Sequence, residues 1–187
     1  TQRMDVLKKR FGDRFAEMSL TEFVRGKGKV DGGVELFVLR STTIDQHMES
    51  TPEMALRLIH ESLKSIRVAI HKLRGFGFQE AFVVTDHGFY LNTATEAGDV
   101  CAKPQGKWIN VHERFLLGDG VSDTGNFVIS AGHLGIRGDF NQCAGPRAMV
   151  PYRAGEWYFH GGASLQEAVV PVIAVRMKES GDKCVPQ

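Results

Sequence analysis

The stretch Ala81-Phe82-Val83-Val84-Thr85-Asp86-His87-Gly88-Phe89-Tyr90 decides how the chain is read. Phe82, Val83 and Val84 form an apolar, partly β-branched run that predicts a buried strand. The run stops at an acid, an imidazole and a glycine. Open α/β sheets bind ligands at the carboxyl ends of their strands, so Asp86 and His87 stand where a site edge is expected. Adjacent side chains of an extended strand point to opposite faces. Asp86 and His87 therefore share a ligand only if the strand has ended and the chain is turning. Gly88 permits such a turn, or the close approach of another group. The competing reading is a polar turn in which Asp86 caps and His87 is solvated.

Upstream, Val34 to Leu39 is a second strand pattern, with the near-continuous apolar texture of an interior parallel strand. It opens into a segment read as a loop, Arg40 to Glu49, carrying Asp45 and His47. A helix is predicted next. Ser50-Thr51-Pro52-Glu53 has capping-box spacing and a proline suited to a first turn. Leu56, Ile59, Leu63, Ile66, Ile70 and Leu73 then recur at steps of three and four, and Gly75 offers a stop. His60 and His71 on this helix read as surface or packing residues. Strand, helix, strand in that order predicts a right-handed βαβ crossover between parallel strands. It would bring Asp45 and the Asp86-His87 turn to one sheet edge. The expected fold class is α/β, a mostly parallel sheet flanked by helices.

The remaining chain is less decisive. Arg3 to Phe23 reads as helical, broken by Gly12, with a short turn starting at Ser19. Arg25 to Gly33 is a basic, glycine-rich link without the GxxxxGK[ST] spacing of a phosphate loop. Leu91 to Lys107 reads as an ordered loop or insertion. Trp108 to Leu117, with His112 and Arg114, reads as one strand and Phe127 to Ser130 as another; Ala131 to Pro151 carries no clear pattern. Trp157 to Phe159 is a short aromatic strand ending in His160-Gly161-Gly162. Ser164 and Glu167 have capping-box spacing, and Val169 to Val175 is a last strand with Pro171 near its start.

Composition narrows the class without choosing a function. The 187 residues are 42% hydrophobic and 24% charged, ordinary for one globular domain. A net charge of +1 gives no global case for nucleic acid or membrane binding. No run approaches the roughly 18 apolar residues of a membrane span, and the N-terminus lacks a secretory h-region. Cys101, Cys143 and Cys184 are widely spaced, without a CxxC pair, so free thiols in a reducing cytoplasm are expected.

Asp45 with His47, Asp86 with His87, and His160 before two glycines form a constellation of carboxylates and imidazoles. Such donors suit first-row divalent metals, zinc and manganese among them. A pair of ions can clamp the attacking and leaving oxygens of a phosphoryl transfer. These residues also carry a resemblance. Thr85-Asp86-His87-Gly88-Phe89, then His160-Gly161-Gly162-Ala163-Ser164 and Glu167-Ala168-Val169-Val170-Pro171, resemble the PglZ domain of the alkaline phosphatase superfamily. Phe37 to Asp45 resembles its strand and Ile-Asp motif. The resemblance runs from about Val34 to Val175.

The resemblance implies a two-metal hydrolase related to phosphatases and phosphodiesterases. Asp86 and His87 would hold one ion; Asp45 and His160 would hold the other. The ions would be zinc, with manganese or magnesium as alternatives. The superfamily often places a histidine four residues after the acid. Here that position is Glu49, so His47 is the expected ligand and Glu49 the fallback. Arg114 and His112 are candidates to bind the substrate's phosphoryl oxygens, with a structural ion pair as the alternative for Arg114. No segment before Asp45 reads as a strand followed by an aspartate and a nucleophile. The chain is therefore expected to correspond to the C-terminal part of such a domain, without the nucleophile. Residues 1–33 would form a helical segment and link, 34–177 the metal-binding domain, and 178–187 a tail. The family also implies a role in defence or signalling, in bacterial or archaeal anti-phage systems of the BREX type or in some response regulators. A phosphorylated substrate and other parts of its own protein or of a defence assembly would be its partners; the expected location is cytoplasmic. A non-catalytic interaction module that keeps the fold is the competing class.

Overall fold

The computed structural model describes residues 2–26, 29–50, 54–92, 99–153 and 157–177. The expected caps at Thr51 and Pro52 and the 178–187 tail with Cys184 lie outside them. The chain divides into two compact units, one of residues up to Phe82 together with those from Ile173, the other Val83–Val172.

The first unit opens with helix α1 (Gln2–Phe11), whose last turn carries Lys8, Lys9 and Arg10, cations that favour the negative end of the helix dipole. Gly12, at φ +57°, ends it. The expected helical run to Phe23 is not formed. Phe15–Ser19 is strand β1 and Leu20–Val24 is helix α2. The physical reason is pairing: β1 lies parallel to β2 (Leu36–Arg40), with Phe15 opposite Leu36 and Ser19 opposite Arg40. Tertiary hydrogen bonding overrides a local helical preference.

The predicted loop after β2 is also corrected. Thr43–Ser50 is helix α3, so Asp45 and His47 stand on a helix. Helix α4 (Ala55–Gly75) follows as expected, with His60 and His71 exposed. Its stop lies two residues beyond Gly75. Gly77 adopts φ +89°, its N–H bonds to the Arg74 carbonyl at 3.0 Å, and the Phe78 N–H reaches the Leu73 carbonyl at 3.2 Å. These two bonds make a Schellman cap. Helix α4 packs on α2 through Leu20, Phe23 and Ala69, with Phe37, Ile66 and Leu73 around them. Lys72 bonds the Phe23 and Val24 carbonyls at 3.2 and 2.6 Å, satisfying acceptors that the end of α2 leaves open.

Strand β3 (Glu80–Val84) pairs with β10 (Val172–Arg176), not with β2. The predicted βαβ crossover within one sheet is thus not formed. Nor is β3 an interior strand, since Phe82 and Val84 are 63% and 62% exposed.

The second unit is antiparallel. Strand β4 (Tyr90–Leu91) pairs with β9 (Tyr158–Phe159). The segment read as one strand from Trp108 to Leu117 is a hairpin of β5 (Gly106–Val111) and β6 (Leu116–Gly120). Its turn, closed by the His112 N–H on the Phe115 carbonyl at 2.9 Å, carries His112 and Arg114. Strands β7 (Asn126–Ser130) and β8 (Gln142–Pro146) complete a four-stranded sheet in the order β5-β6-β8-β7. Leu116, Ala144 and Tyr152 form its packed centre. Helix α5 (Leu165–Ala168) follows Ser164 as the spacing predicts. A mostly parallel sheet is therefore replaced by small sheets, most of them antiparallel. Apolar runs report burial, and strand direction depends on which run pairs with which. Cys101 and Cys143 are free thiols, and burial raises both above their ordinary pKa.

Candidate functional site

Strand β3 ends at Val84 and the chain bends at Asp86. The condition for Asp86 and His87 to act together is met. The Asp86 carboxylate is 72% exposed, and its Oδ1 lies 3.8 Å from His87 Nε2. On the other side of that ring, Nδ1 is 3.0 Å from the Gly88 carbonyl. A carbonyl oxygen only accepts, so this contact suits the neutral tautomer with the proton on Nδ1 and the lone pair on Nε2. A backbone carbonyl fixing the tautomer from the far nitrogen is the usual support of a metal-ligating histidine.

The β4–β9 pairing, with Tyr90 opposite Phe159 and Leu91 opposite Tyr158, aligns the segments that flank it. The His87 and His160 rings consequently stack, centroids 4.6 Å apart and planes 12° from parallel. Tyr158 lies against His160 at 5.5 Å. Sequence motifs far apart in the chain are thus joined: Asp86, His87 and His160 share one place in the second unit.

Arg114 is only 3% exposed. Its Nε donates to both carboxylate oxygens of Glu167, at 3.1 and 3.0 Å. Its Nη1 donates to the Val150 carbonyl at 2.9 Å, and its guanidinium lies 5.4 Å from the Tyr90 ring centroid. The structural ion pair is therefore what Arg114 makes, and its guanidinium does not face solvent where a substrate would meet it. His112 is exposed in the hairpin turn. Sequence reasoning sees Glu167 as a cap residue and as the start of a motif shared with the family, without a partner for its side chain. Its signal is the Ser164-x-x-Glu167 spacing, but Ser164 Oγ donates to the carboxylate itself at 2.6 Å, and no side chain caps the helix start.

Asp45 and His47 belong to the first unit. Positions two apart on a helix do not share a face, whereas positions four apart do. Asp45 thus aligns with position 49 rather than with the exposed His47. At the carboxyl ends of β1 and β2, beside the start of α3, lies a cavity of about 470 Å³ lined by Ser19, Thr21, Arg40, Thr42 and Thr43 among others.

Among the described residues, no group of three or more His, Cys, Asp and Glu side chains is gathered as a ready metal cage. The second unit does hold donor types that divalent ions take, in Asp86, His87 and His160. Oxygen and nitrogen donors 3.8 Å apart, as in Asp86 and His87, can be bridged by one ion at about 2.1 Å from each. A ring-nitrogen lone pair lies in its ring plane, so two stacked rings cannot both aim at that ion. They can serve two neighbouring ions, which in two-metal sites lie about 4 Å apart.

The family model described as "BREX system PglZ alkaline phosphatase-like domain" matches residues 3–175. No curated protein matches the chain, and no solved structure does.

Proposed function

The chain belongs to the PglZ family of alkaline phosphatase-like domains, and from that premise we propose that it serves as a metal-dependent phosphatase or phosphodiesterase-type domain in a cytoplasmic BREX-type phage-defence system. The observation that carries this reading is the Asp86–His87 pair with His160 stacked on it. Asp86 and His87 would hold one divalent ion. His160 would serve the second; Asp45, the further acid that the family resemblance implies, stands on α3 of the first unit. Zinc is the first candidate, with manganese or magnesium the others. Bound there, such ions would supply charge stabilisation and an activated oxygen nucleophile. The chain's own contribution is orientation. The Gly88 carbonyl favours the His87 tautomer with its lone pair on Nε2, and the stack sets the two imidazoles parallel. In the first unit, the hydroxyls of the cavity beside α3 are donors suited to phosphoryl oxygens, while Arg40 there is paired with Glu17 at 3.5 Å. No residue is assigned as the nucleophile.

The test is elemental metal content of the purified chain, wild type beside Asp86→Ala and His160→Ala, followed by hydrolysis of an activated phosphodiester. Zinc or manganese retained by the wild type and reduced in both variants supports the reading. A chain that takes up no metal under saturating supply overturns it, in favour of a non-catalytic interaction module that keeps the fold.

A further inference from the structure

Both histidine-bearing segments are tied to one residue. The Gly88 N–H donates to the Glu167 backbone carbonyl at 2.8 Å. The Gly162 N–H donates to Glu167 Oε1 at 3.0 Å, and Ser164 Oγ donates to Oε2 at 2.6 Å. Neither glycine tolerates a side chain there. A Cβ on Gly88 would run into the Gln166 carbonyl oxygen, and one on Gly162 would lie 2.6 Å from each Glu167 carboxylate oxygen. One of these glycines directly follows His87; the other lies two residues after His160. Glu167 is 2% exposed, and the charge that makes its burial tolerable comes from Arg114.

We infer that Glu167, neutralised and oriented by Arg114, is a positioning residue that sets the His87–His160 stack. Its backbone carbonyl fixes the turn carrying His87, while its carboxylate fixes the loop carrying His160. The two rings face each other because both loops close on the same side chain and its own peptide. Arg114 adds a second tie, since its guanidinium lies over Tyr90, the residue opposite Phe159 in the strand pair between the two histidines. The inference rests on the metal reading only for the purpose of the positioning, not for its geometry.

The test uses the full 187-residue chain. Imidazole proton resonances are recorded without metal and assigned with His87→Gln and His160→Gln. Stacked rings shield one another, so both histidines are expected upfield of an exposed imidazole. Glu167→Gln removes the charge opposite Arg114, Ser164→Ala removes only one hydrogen bond, and Leu116→Ala in the sheet centre controls for lost stability. Glu167→Gln and Ser164→Ala are expected to move both histidines towards exposed positions and weaken calorimetric zinc binding by about 10–100-fold. Leu116→Ala is expected to do neither at a comparable loss of thermal stability. Should Glu167→Gln fail to fold, Ser164→Ala decides alone. Unmoved histidine resonances and unchanged zinc affinity in the folded variants would overturn the inference. A wild-type chain that binds no zinc while its histidines respond to Ser164→Ala would uphold the positioning role and sink the metal reading.

Discussion

At Gly88 the backbone of the Asp-His turn passes so close to Gln166 that a methyl group has no room. The φ of Gly88 is not in the left-handed region, so its requirement is contact rather than conformation. Gly88→Ala should therefore cost about 1–3 kcal/mol through overpacking. A methyl group at Gly32 would meet nothing within 4 Å, and that residue has no positive φ. Gly32→Ala should be neutral or stabilise by about 0.4–1 kcal/mol through the unfolded chain. Urea denaturation of the two variants beside wild type checks both expectations. If the two substitutions cost the same, contact at Gly88 is not what distinguishes them.

Elements are held here by local polar closures whose chemistry has a pH signature. Ahead of β7, Asp123 Oδ1 accepts from the Gly125 N–H at 2.9 Å, the Asn126 N–H at 2.7 Å and Asn126 Nδ2 at 3.0 Å. Asn126 in turn accepts from the Tyr152 hydroxyl at 2.7 Å, linking the turn to the sheet centre. The Asn126 side-chain bond, with the backbone bonds and the Arg147 charge, holds the Asp123 carboxyl below its ordinary 3.8. A depressed folded-state pKa means that this stabilisation is present above the unfolded value and lost as pH falls through the folded one. The stability advantage of wild type over Asp123→Asn should be constant above about pH 5 and shrink progressively as pH falls from there through 3.8 and below. Urea unfolding of both proteins across the acid range up to neutrality measures it, and a gap that never narrows in acid would contradict the assignment. The buried Arg114–Glu167 pair is a different case. Its value lies in geometry, because desolvation offsets much of its attraction.

For the molecule as a whole, each unit has its own packed cluster, centred on Phe23 in one and Leu116 in the other. The long helix α4 lies in the first unit, and both tryptophans, Trp108 and Trp157, lie in the second. Far-UV circular dichroism and tryptophan fluorescence therefore report largely on different units. Phe23→Ala should cost the first unit about 3–5 kcal/mol and lower the dichroism midpoint more than the fluorescence midpoint. Equal displacement of both would show one cooperative transition instead.

The sequence by itself determined the parts whose signals are local. The periodicity of α4, the strand ending before Asp86, the short strand before His160 and the turn after Ser164 were all legible, because each depends on residues a few positions apart. The motifs that identify the PglZ family were legible for the same reason. What only the tertiary structure decided was pairing. Phe15 to Ser19 became a strand because β2 lay beside it, and the apolar run at β3 met β10 rather than a parallel neighbour in β2. Asp45 and His47, adjacent in a loop reading, separated onto different faces once α3 formed. Arg114 and Glu167 stand far apart in sequence, and nothing in either neighbourhood announces the other. Their bond exists because two loops, each with a close approach at a glycine, bring the Glu167 carboxylate and the Arg114 guanidinium together in a buried place.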